Sequence, residues 1–110
     1  MAIKANLVVD QGATFNSTID LTDPAGEVFN LTGYTVAAQM RKNYASSTST
    51  TFTSSHSSTE GEIFLTLSST TTAAIEPGRY LYDVEITSPG GVVTRVVEGV
   101  VTVTPGITRI

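Results

Sequence analysis

The chain contains no cysteine and no tryptophan, one histidine, four prolines and few charges. Without cysteine there is no disulfide, no thiolate nucleophile and no Cys-held zinc, and the composition fits a reducing compartment. The lone His56 sits in "SSHSS", with no acid, base or ligand beside it for a metal site or a catalytic relay. Only 15% of the residues are charged and the net charge is −4; Lys4, Arg41, Lys42, Arg79, Arg95 and Arg109 are scattered. Nucleic acid is therefore not an expected partner, since phosphate binding needs clustered Lys and Arg. No apolar run is long enough to span a bilayer, and "MAIKANLVVDQG" alternates where a signal peptide would be continuously apolar, so neither membrane nor export is expected. Nucleophile-elbow, phosphate-loop and dinucleotide-binding glycine motifs are all missing. The expectation is a protein that is not an enzyme and carries no cofactor and no metal.

What is present is β signal. At 110 residues the chain fits one domain, 1–110, with 40% hydrophobic residues for a core. Ser and Thr supply about a quarter of it, so much of the surface is hydroxyl and can be covered by another protein at little desolvation cost. Residues 3–9 alternate as one strand, with Ile3, Ala5, Leu7 and Val9 on one face, and 13–21 alternate again. "TDPAGE" is a turn, after which 28–31 are expected to pair back as a hairpin. "YTVAAQMRK" alternates from Tyr34, although its helix formers offer a rival reading. Residues 43–61 read as a long, mobile Ser/Thr-rich loop with one short strand near Thr51–Ser54. "EIFLTLS" is a strand, and 69–76 a helical turn capped by Ser69 and ended by Pro77-Gly78. "GRYLYDVEITSPGGVVTRVVEGVVTVTP" is strand, tight turn, strand, with Gly99 marking a bulge or bend. About seven to nine short strands with turn signals between them predict an all-β, immunoglobulin-like antiparallel sandwich.

Several groups invite chemistry and are better read as structure. Asp20 and Asp23 flank a turn without calcium-loop spacing. The Asn16 and Asn30 sequons arise easily in a Thr-rich chain. Asp83, Glu85 and Glu98 have the composition of a glycosidase pair, but Arg79 and Arg95 on the same hairpin favour cross-strand ion pairs. Tyr80 and Tyr82 read as core residues with satisfied hydroxyls. The contact candidates are Tyr44, Phe52 and His56 in the loop, and Ile107, Arg109 and Ile110 in a C-terminal arm, 105–110. Residues 1–5 are a second candidate arm that orders on docking.

Four stretches, "VVDQGATF", "LTGYTVAAQMRK", "GEIFLTLSSTTTAAIEPGRYLYDVEI" and "GVVTRVVEGVVTVTPGITR", cover most of the chain. Together they resemble small virion or prophage structural proteins of tailed bacteriophages, which have an immunoglobulin-like sandwich. The resemblance implies a virion protein made in the host bacterial cytoplasm, with other virion proteins as partners in a homo-oligomer or symmetric array. Tail or baseplate is favoured over capsid decoration. A receptor- or glycan-binding module, with Tyr44 and the Ser/Thr loop as its contact, is the alternative. No catalytic residue travels with the resemblance.

Overall fold

The computed structural model describes residues 3–22, 26–27, 29–43, 45–47, 49–57 and 59–107. In chain order its strands are β1 (Ile3–Lys4), β2 (Leu7–Asp10), β3 (Phe15–Asp20), β4 (Thr35–Arg41), β5 (Thr50–Thr51), β6 (Thr53–Ser57) and β7 (Glu62–Leu67). A short helix, α1 (Ser69–Ala73), precedes β8 (Gly78–Thr87) and β9 (Val93–Thr104).

Alternation dictates the longest strands. Along β8, Tyr82, Val84 and Ile86 are buried while Arg79 and Glu85 on the other face are exposed. β7 buries Ile63, Leu65 and Leu67, and β4 buries Ala38 and Met40, as period two requires. The larger sheet runs β1-β9-β8-β4-β5, with β2 also on β9; the smaller runs β3-β7-β6. All pairings are antiparallel except those of β1 and β2, which lie parallel to β9. Two sheets close over one core, whose centre holds Phe52 with ring centroids 6.0 Å from Phe15 and 6.1 Å from Tyr82. At the start of β8 the Tyr80 hydroxyl donates to the Glu76 carbonyl at 2.7 Å, the corner contact of immunoglobulin sandwiches. The fold is the expected all-β sandwich.

Several local expectations change. Residues 43–61 hold more strand than the one short piece expected near Thr51–Ser54: β5 and β6 lie inside the segment. Phe52, between them, is 2% exposed. Its amide donates to Ala38 O at 3.0 Å, and Ser54 Oγ donates to Val36 O at 3.1 Å, so the chain crosses here from one sheet to the other and closes that flank. On the opposite flank the outer edges of β1, β2 and β3 pair with nothing among the described residues. Residues 29–31 are not strand; Leu31 is buried, Phe29 N donates to Leu21 O at 3.1 Å, Thr22 is an isolated bridge residue, and Val28, where the expected hairpin strand begins, lies outside the described residues. The helix cap is Ser68, whose Oγ accepts from Thr71 N at 3.2 Å, one residue before the expected position. Residues 3–5 are no free arm, since Ile3 and Lys4 pair with Val97 and Glu98 and Ala5 N donates to Glu98 O at 3.0 Å.

Gly99 marks no bulge of its own. A Cβ there would run into the Ala5 carbonyl oxygen, so the missing side chain admits the segment joining β1 to β2. The bulge lies nearby: Val84 faces Val97 and Glu85 faces Arg95, leaving Val96 as the extra residue. Away from the sheets, Thr72 Oγ1 donates to Ala13 O at 2.8 Å and accepts from Gly12 N at 3.1 Å, fixing α1 to the β2–β3 turn. Among the described residues no buried side-chain nitrogen or oxygen lacks a partner.

Candidate functional site

The outer face of the larger sheet carries a shallow cleft of about 460 Å³. Strand alternation builds it. β8 contributes Leu81, Asp83 and Glu85, β4 contributes Gln39 and Arg41, β9 contributes Arg95, Glu98 and Val100, and Lys4 and Asn6 close one side. The extra residue Val96 is what places Arg95 here. Strict alternation would turn Arg95 inward along with Val97; the bulge buries Val96 and Val97 together and returns Arg95 to the outer face.

That reset joins three charges. Arg95 Nε lies 3.2 Å from Asp83 Oδ2, and its Nη1 donates to Glu98 Oε2 at 3.3 Å. Lys4 Nζ stands 3.9 Å from Glu98 Oε1. Arg41 is turned to the neighbouring turn, donating to Ser46 O at 2.8 Å and to Gln39 Oε1 at 3.2 Å. Exposed pairs of this kind stabilise little individually, but they hold the charges in fixed positions. Among the described residues Arg79 and Glu85, both exposed on the same face of β8, make no ion pair and no side-chain hydrogen bond.

Beneath the cleft, Tyr82 is buried and its hydroxyl donates to Ala5 O at 2.6 Å. Burial pushes its phenol up to about 12. Tyr80 is also raised, by burial and then by the Glu76 charge, and Lys42 Nζ lies 4.8 Å from its ring centroid. A second polar cluster sits at the end of the smaller sheet, where Asp20 and Glu62 face each other in register. A hydrogen bond with Glu60, then desolvation, then the charges of Glu60 and Asp20 raise the Glu62 carboxyl. Among the described residues no group of three or more His, Cys, Asp or Glu side chains could hold a metal ion, and no helix is long and apolar enough to cross a membrane.

Three of the six contact candidates lie among the described residues. Phe52 is a core residue, not a surface one, because it anchors the sheet crossing. His56 is half-buried on β6, opposite Ile63. Ile107 is 89% exposed beyond the end of β9. Tyr44, Arg109 and Ile110 lie outside the described residues, as do Asp23 and Val28. The hairpin charges do pair, through Arg95 to both Asp83 and Glu98, whereas Arg79 does not join them. Alternation in "GRYLYDVE" marks one side of this face. Lys4 and the aim of Arg95 have no local signal, because a parallel pairing across the chain and a bulge create them.

No family model matches the chain, and no curated protein matches it. Among solved structures it is similar to a Listeria monocytogenes internalin-like protein at 16% sequence identity and a TM-score of 0.49. The match takes in 94% of this chain and 28% of that one, so this chain spans just over a quarter of its neighbour's length.

Proposed function

We propose that this chain is a non-enzymatic structural component of a tailed-phage particle, held among other virion proteins by protein–protein contacts in a symmetric assembly. The observation that carries the non-enzymatic reading is Arg95, bridged between Asp83 and Glu98. Of the three carboxylates with the composition of an acid–base pair, Asp83 and Glu98 are engaged by one guanidinium, which leaves Glu85 without a second free carboxylate to act with it. The residues behind the phage resemblance support a scaffold role. Gly78 opens β8, Tyr80 closes the corner, and Gly99 admits Ala5. They build the sandwich and leave the contacts to its faces and loops, with tail or baseplate as the favoured position.

A cryo-EM map of the intact particle with this chain traced in it tests the reading. Density in the tail or baseplate is the expected result. Density over capsomers moves the chain to capsid decoration, and absence from the particle overturns the virion reading.

A glycan-binding reading rests on the amides of Asn6, Gln39 and Asn43 around the cleft. It predicts saccharide-dependent NMR shifts confined to those residues. Among the described residues the aromatic ring that lines the cleft, Tyr82, is buried and offers no stacking platform, which favours the contact reading.

A further inference from the structure

We infer that the outer face of the larger sheet is a docking surface for a second copy of this chain, related by a two-fold axis lying across the strands. Arg79 of each copy then meets Glu85 of the other. Four observations carry this. First, Arg79 and Glu85 are the two outward charges of β8 left without a partner among the described residues, and they have opposite sign. Second, they lie on the same face of one strand, six positions apart, or about 20 Å. A two-fold axis through the midpoint places each opposite the other, as an isologous contact requires. Third, the residues between them strand no bare carboxylate. Leu81 and Val100 are half-buried, Asp83 is neutralised by Arg95, and Arg41, in register with Leu81, keeps its hydrogen bonds to Ser46 O and Gln39 Oε1. Fourth, Val8, which pairs with Thr102 in the same row as Arg79, is 62% exposed and extends the apolar area.

This deepens the contact reading by naming one occupant, and it rests on that reading only for its place in a particle. A copy found in virions but monomeric along this face would fail the present inference and leave the other standing.

Charge reversal provides the test, because a two-fold contact answers it in a characteristic way. Arg79→Glu or Glu85→Arg alone puts like charges together twice per dimer. Mixing the two single variants restores two opposite-charge pairs in the heterodimer. The double variant restores them in the homodimer. Sedimentation velocity is run on the full chain up to about 1 mM, where even weak pairing is populated. The expected result is a wild-type dimer weakened by salt, a loss of affinity of about tenfold or more in each single variant, and recovery in the mixture and the double variant. Thermal melts of each variant confirm that the sandwich is intact. A wild-type chain that stays monomeric, or a mixture that fails to recover while both variants are folded, overturns the proposal.

Discussion

The hydroxyl of Tyr82 donates to the carbonyl oxygen of Ala5 across 2.6 Å, linking residues 77 positions apart in sequence. It fastens the join between β1 and β2 to the central strand of the larger sheet. Tyr82→Phe keeps the ring and removes the bond. The expected cost is about 1 kcal/mol in urea unfolding, with faster amide exchange at Ala5. Burial holds this phenol near 12 in the folded chain against 10.0 unperturbed. The neutral form is therefore favoured by folding, so its contribution is complete below pH 10.0 and is lost as the pH climbs toward 12. A spectrophotometric titration of wild type minus Tyr82→Phe should place the difference step near 12; a step at 10.0 would contradict the assignment.

Gly99→Ala tests the close approach from the other side. Its Cβ meets the Ala5 carbonyl, which cannot retreat without breaking the bonds to Tyr82 and Glu98. A loss of about 1–3 kcal/mol is expected, with exchange protection falling first over residues 3–10. Unchanged protection there would mean that the segment relaxes freely.

Phe52→Ala removes the ring at the centre of the core. The expected destabilisation is about 3–5 kcal/mol, measured by chemical denaturation. A loss below about 1 kcal/mol would return Phe52 to the surface role that its Ser/Thr-rich neighbourhood suggests.

Glu62 supplies a pH dependence of opposite character to a salt bridge. Its carboxyl is raised above the ordinary 4.5 by the hydrogen bond with Glu60, by desolvation, and by the Glu60 and Asp20 charges. The folded chain holds that proton more tightly than the unfolded chain. Its stabilisation is therefore full below 4.5 and falls as the pH rises through the raised value. Glu62→Gln should raise the melting temperature at neutral pH and flatten the profile on its acid side. Superimposable profiles for variant and wild type would remove Glu62 as the cause.

The strands at 35–41, 62–67 and 78–87 are legible because each alternates cleanly between a wet and a dry face. The remainder is set by contacts distant in sequence. The break between β1 and β2 answers to Tyr82 and Gly99, and nothing in "IKANLVV" announces it. β5 and β6 are built almost wholly from Ser and Thr, so period two has no apolar contrast to display, and Phe52 reads as an isolated aromatic. The bulge at Val96 is hidden in a run of valines with the same hydropathy on both faces. For the candidate face, "GRYLYDVE" shows which side Asp83 and Glu85 occupy; the partners of Arg95 appear only once the hairpin register is known.

The crossing at Phe52 also sets how the molecule can join others through its backbone. With one flank crossed by the chain itself at Phe52, the edges of β1, β2 and β3 stand on the other side without a pairing strand among the described residues. A body with a single adhesive flank can meet one neighbour along it, and a symmetric meeting uses up both flanks at once. Strand pairing through that flank alone would therefore join two copies and no more, whereas contacts through faces and loops carry no such limit.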